Sequence, residues 1–163
     1  MSIYSFLFYL EEWGWAKTMA TINTSRFGEV QTEQGVISFP QGIPGFEDEH
    51  QFVIYQPDAD SPLSYLQSIH NENLSFIITD PFLFYKEYEF DLSAADQDEL
   101  NLADNPPLSV WSIITVSEDI QQATLNLLAP IIINMREKIG KQVILQNSPY
   151  KTKHKLLGEE QSK

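Results

Sequence analysis

Short runs of apolar residues, many of them alternating with polar ones, follow one another along most of this chain. Residues 35–39 (GVISF) form a β-rich run ended by Pro40, and 52–55 (FVIY) form another. Residues 63–69 (LSYLQSI) alternate with period two, and 74–79 (LSFIIT) are apolar and β-branched until Pro81 closes them. Further runs lie at 110–116 (VWSIITV), 125–133 (LNLLAPIII) and 142–145 (QVIL). Period-two alternation puts successive side chains on opposite faces, which suits a half-buried strand. Several short strands separated by turn residues predict a sandwich or a barrel. The connections are too short for the crossover helices of a parallel βαβ fold.

One helix is predicted. Ser93 caps its start, Asp96 stands in the capping-box position, and Asp98 and Glu99 add charge near the start. Leu100 supplies a buried contact, and Asn105-Pro106-Pro107 blocks any continuation. Either a second short helical turn or a loop is expected to start at Ser117–Ile120. Pro44-Gly45 reads as a type II turn, with Pro fixing φ and Gly taking the positive φ that follows. The expectation is a mainly β, single-domain, barrel-like or sandwich fold with one or two short helices.

The amino terminus is apolar at 3–10 and carries Trp13 and Trp15. It is too short to span a bilayer, which takes about 20 apolar residues. It also lacks the preceding positive charge of a signal peptide, and Glu11 and Glu12 interrupt it. Met19 opens an ordinary globular start. Residues 1–18 are therefore expected to be an upstream extension outside the fold, 19–155 one domain, and 156–163 a flexible polar tail. The stretch from Ser148 onward is expected to be loosely held.

Charge narrows the function. The 163 residues carry 10 basic and 23 acidic side chains, a net charge of −13. Residues 136–163 hold seven basic and three acidic residues, a local +4; the rest holds three basic and twenty acidic, a local −17. Such a body repels phosphate backbones and anionic lipid, so direct contact with nucleic acid or membrane is not expected. A basic protein is its electrostatic complement.

Candidate chemistry is sparse. There is no cysteine, so disulfides, thiolate metal sites and a cysteine nucleophile are excluded. His50, His70 and His154 form no metal-binding spacing, and no metal or cofactor is expected. No Ser lies in a nucleophile-elbow motif, and no Lys follows Gly42 and Gly45 in a phosphate loop. Acidic residues cluster at Glu47-Asp48-Glu49, at Glu87, Glu89 and Asp91, and at Asp96, Asp98 and Glu99, where a solvated face is the ordinary role. A carboxylate-based hydrolase or a small-ligand-binding barrel are the alternatives to a binding protein.

The aromatics carry more information. Phe82, Phe84, Tyr85, Tyr88 and Phe90 fall within nine residues, interleaved with Lys86, Glu87 and Glu89. A strand cannot bury all of them on one face, so either both faces are covered or some rings serve docking. Phe46, Phe82, Phe84 and Tyr85 are the candidate anchors. Glu47, Asp48, Glu87 and Glu89 are the candidate acidic rim, and Lys151 and Lys153 candidate contacts on the basic tail.

Several ordered blocks resemble one known family. They are RFGE at 26–29, ISFPQGIPGFE at 37–47, FIITDPF at 76–82, NLLAPIIIN at 126–134 and GKQVIL at 140–145. Together they resemble the bacterial flagellar assembly factor FliW over about 24–155. The resemblance implies a cytoplasmic, non-enzymatic, barrel-like protein, monomeric when free, with two alternative partners. One is flagellin, held before export. The other is CsrA, a translational repressor that the factor binds when free of flagellin, relieving repression of flagellin synthesis. In the family's pattern Asn134 and a Gly140-Lys141 turn are expected to connect strands.

Overall fold

The computed structural model describes residues 20–157. The expectation for residues 1–18, and that for the 156–163 tail beyond Leu157, lie outside the described residues.

The chain opens with a hairpin of β1 (Ala20–Thr24) and β2 (Gly28–Thr32). Then follow β3 (Ile37–Ser38), β4 (Gln51–Tyr55), β5 (Leu63–Ser68) and β6 (Ser75–Thr79). A long connection holds a single 3₁₀ turn (Pro81–Leu83) and the helix α1 (Ala94–Glu99). After it come β7 (Leu108–Thr115), a 3₁₀ turn (Ile120–Gln122), β8 (Thr124–Leu125), β9 (Ile131–Asn134), β10 (Ile139–Gln142) and β11 (His154–Lys155).

The sheet order is β11-β8-β7-β6-β5-β4-β3-β10-β9, and a further pairing of β7 with β9 closes seven strands into a barrel-like ring. β3 and β10 pair in parallel at Ile139 and Ser38, and the other neighbours are antiparallel. β7, eight residues long, makes the closure possible. Its first half faces β9, its second half faces β8, and β6 lies along its other edge.

Alternation separates two cores. On one face Ile37, Phe39, Phe52, Ile54, Leu66, Ile78, Ile131 and Ile133 are buried together. On the other, Leu108, Val110, Ile114, Leu125 and Ile132 join Tyr88, Leu92, Leu100 and Leu102 from the long connection. Gly140 belongs to the first face. A Cβ there would lie 2.6 Å from Phe39 Cζ, so the ring occupies the space a side chain would need.

α1 forms as its sequence predicts. The Ser93 hydroxyl accepts from the Asp96 N–H and donates to the Asp96 carboxylate, and Leu100 is fully buried. The Lys141 ammonium, from β10, bonds the Asp96 carboxylate at 2.7 Å and also Glu99, pinning the helix to the sheet. The second helical turn is the short one capped by Asp119.

Four expectations need correction. The run at 125–133 is two strands: residues 126–130 bend, with the Asn126 side chain accepting from the Ala129 N–H, and β9 starts after Pro130. β10 spans Ile139–Gln142 and shares one residue with the run expected at 142–145. That run is still extended, since Val143 and Leu145 donate to the carbonyls of Pro130 and Leu128. Gly140 and Lys141 are therefore in a strand. The turn is at 135–138, where Lys138 has φ +57° and Asn134 binds the Arg136 and Glu137 N–H groups. The stretch from Ser148 is docked through its described part: β11 pairs with β8, and Leu156 is buried and donates to the Ala123 carbonyl. The stretch is mostly polar, and its only leucines are the adjacent Leu156 and Leu157, so no alternation marks a strand there.

The β1–β2 hairpin has no counterpart among the expected strands. Its residues are mostly polar, and Ile22 and Val30 are the two that bury against Val53 of β4. Thr32 Oγ1 donates to the Ile54 carbonyl and holds the hairpin across the sheet.

Candidate functional site

The ten candidate residues fall in two separate places. Phe46, Glu47 and Asp48 lie in the turn between β3 and β4. Phe82, Phe84, Tyr85, Glu87 and Glu89 lie in the connection after β6, beside Lys151 and Lys153. β6 separates the two sets, because Phe76 near its start meets the turn while the connection leaves its far end.

The turn is tightly built. Phe46 N–H donates to the Ile43 carbonyl and Glu49 N–H to the Phe46 carbonyl. Gly45 has φ +90°, as the type II geometry requires. Gly42 has φ +67°, and a Cβ there would lie 2.6 Å from the Glu47 Cα, so no other residue fits without moving the turn. The Glu47 carboxylate accepts from the Gly45 N–H, and this bond holds its pKa below the ordinary value. Glu49 accepts from Ser68 Oγ at 2.8 Å. Ile43 is buried and anchors the turn, yet Phe46 is 43 % exposed and leans edge-on against Phe76, with ring centroids 5.4 Å apart. Glu47 and Asp48 are exposed beside it.

The second place is a packed aromatic seam. Tyr88 is buried and its hydroxyl donates to the Leu127 carbonyl at 2.7 Å. Burial first, and the neighbouring Tyr150 second, push its pKa far above the ordinary phenol value. Phe82, Phe84, Tyr85 and Phe90 are half-buried against the second core. Tyr85 donates to the Lys155 carbonyl, and Tyr150 Oη accepts from the Glu89 N–H, so the carboxy-terminal strap is stitched to this seam. His154 stacks edge-on between Tyr85 and Tyr150 and accepts the Lys151 N–H at its Nε2. The Glu87, Glu89, Lys151 and Lys153 side chains are exposed.

Both faces of the 82–90 segment are thus largely covered, and most of its rings are core. The large apolar side chain presented there is Leu83, 57 % exposed, which the aromatic pattern does not single out. Phe76, Trp111 and Ile113, partly exposed on the face that Phe46 joins, are likewise not singled out by sequence. In a β-rich run such residues read as core, and only the closure of the sheet leaves them partly uncovered.

Among the described residues no group of three or more His, Asp or Glu is placed to hold a metal ion. Asp80 has a raised pKa from burial, opposed by the Phe82 N–H; its carboxylate caps the Pro81 turn. Among the described residues no helix is long and apolar enough to cross a membrane.

Comparison with known proteins places this geometry. The family model described as FliW protein matches residues 21–156. The flagellar assembly factor FliW of Bacillus subtilis (strain 168) is 44 % identical over 139 residues, which cover 85 % of this chain and 97 % of that one. The protein of the same name from Desulfitobacterium hafniense (strain Y51) is 47 % identical over 140 residues, 85 % of this chain and 91 % of that one. A crystal structure of the flagellar assembly factor FliW is 39 % identical and superposes with a TM-score of 0.79, covering 86 % of this chain and 99 % of the other.

Proposed function

The chain belongs to the FliW family of flagellar assembly factors, and on that premise we propose that it works in the cytoplasm as a non-enzymatic binding switch. It holds flagellin before export. Free of flagellin, it binds the repressor CsrA and relieves repression of flagellin synthesis. The observation that supports the second step is the charge partition: a −17 body before residue 136. An RNA-binding repressor must be basic where it meets phosphate, so an acidic body complements it and repels the competing RNA. Docked on CsrA, the factor places this negative field near the RNA path and lowers RNA affinity.

The test is calorimetric. The purified factor is titrated into CsrA, and again with flagellin saturating. The expected outcome is binding that disappears in the presence of flagellin. Binding unchanged by flagellin would sink the switch. A CsrA–RNA inhibition constant that does not move between low and high salt would sink its electrostatic part.

A further inference from the structure

We propose that the rigid turn at 43–49, with the partly open apolar strip beside it, is the docking site for a short basic segment of a partner protein. The inference rests on the reading above and names the surface that the basic partner uses. The strip follows from register. Phe76 and Ile78 share one face of β6, Ile78 pairs with Ile113 of β7, and Trp111 lies two residues before Ile113. Phe76, Ile113 and Trp111 are each partly exposed, whereas Ile78 on the same face is fully buried. Phe46 extends this strip outward from the turn.

Two features distinguish the place from an ordinary exposed phenylalanine. The first is preorganisation. Two glycines at positive φ, the Phe46–Ile43 bond, and the Glu47 and Glu49 side-chain bonds hold the ring at a set position, although its side chain fills no core. An anchor held in place costs little entropy when a partner arrives. The second is charge. Glu47 and Asp48 stand exposed beside the ring, and no ion pair joins either to a described residue. An aromatic anchor with an uncompensated acidic rim fits a segment that carries an apolar side chain flanked by Lys or Arg. The seam at 82–90 offers less. Its rings are committed to the second core and to the carboxy-terminal strap.

The experiment uses the full chain and purified CsrA as the basic partner, at two salt concentrations. The variants are Phe46→Ser and Asp48→Lys at the turn, and Glu87→Lys with Glu89→Lys at the seam. Phe46→Ser is expected to weaken binding by about tenfold or more, as loss of an anchor does. Asp48→Lys is expected to weaken it at low salt and to flatten its salt dependence. The seam variant changes the body's charge twice as much as Asp48→Lys, yet is expected to weaken binding less than that turn variant does, because only the turn touches the partner. Asp48 packs against no core side chain, so its variant keeps the test alive if Phe46→Ser does not fold. Wild-type binding left unchanged by both turn variants, or lost only in the seam variant, overturns the docking site alone. A wild-type chain that binds no CsrA overturns the reading above together with it.

Discussion

Gly140 lies directly beneath the ring of Phe39: a Cβ at 140 would come within 2.6 Å of the ring's Cζ and 2.8 Å of Cε1. Phe39 is fully buried and meets Phe52 edge-to-face with ring centroids 5.2 Å apart, so it has nowhere to go. This contact sits where β3 meets β10, the parallel pairing of the ring. Gly140→Ala is expected to destabilise by about 1–3 kcal/mol through overpacking. Urea unfolding checks it. Adding Phe39→Leu should recover part of the loss, a coupling that a purely local backbone effect at Gly140 would not produce.

Asn134 ties the end of β9 to the helix connection. Its amide donates to the carbonyls of Leu100 and Asn101, and its oxygen accepts from Arg136 and Glu137. It is fully buried. Asn134→Ala strands these groups, and a loss of about 2–4 kcal/mol is expected in urea unfolding. Asn134→Asp keeps the acceptor but has a donor only where its carboxyl is protonated, so only there should it cost less than alanine.

Acid stability should depend on Lys141. Burial raises the Asp96 carboxyl, but the bonds from Lys141 and Ser93 and the Lys141 charge outweigh it, and its pKa falls below the ordinary 3.8. A depressed carboxylate stabilises the fold above its unfolded pKa and loses that contribution as pH falls through the folded one. Lys141 is shifted the other way. Burial lowers it, Asp96 and Glu99 raise it further, and its contribution is lost as pH rises past the ordinary 10.5. Lys141→Met should cost about 1 kcal/mol near neutrality, since the pair is partly solvated. It should also flatten stability on both limbs, measured by urea midpoints from pH 2 to pH 11.

The strap should loosen as pH falls. Burial first, and the nearby Lys151 charge second, lower the His154 pKa below 6.5. The neutral imidazole accepts the Lys151 N–H, and a protonated ring cannot. A depressed histidine supports the fold above its unfolded pKa and loses that support as pH falls through the folded value. Hydrogen exchange at the Lys151 amide should therefore accelerate, relative to its intrinsic rate, as pH falls below 6.5. A His154→Gln variant should not show this step.

Tyr88→Phe removes the bond to the Leu127 carbonyl without opening a cavity, and should cost about 1 kcal/mol. In the wild type, ultraviolet titration of the seven tyrosines should find one phenol that ionises only when the protein unfolds in alkali.

Local features of this protein were determined by the sequence itself. The Ser93 cap, the Pro44-Gly45 turn and the strands around 52–55, 63–68 and 75–79 depend on residues within about four positions of each other, and each forms where its pattern places it. The blocks that carry the family resemblance are legible for the same reason. Distance in sequence set the limit. The β7–β9 closure joins residues as far apart as Leu108 and Asn134, and the β3–β10 pairing joins Ser38 to Ile139. No local pattern encodes either. Those closures decide which aromatics are free. Phe46 and Tyr88 both stand among acidic neighbours in polar segments, yet the first is half-exposed on a rigid turn and the second is buried beneath the strap. Exposure belongs to whatever the ring closure and the strap happen to cover, and only the tertiary structure decides that.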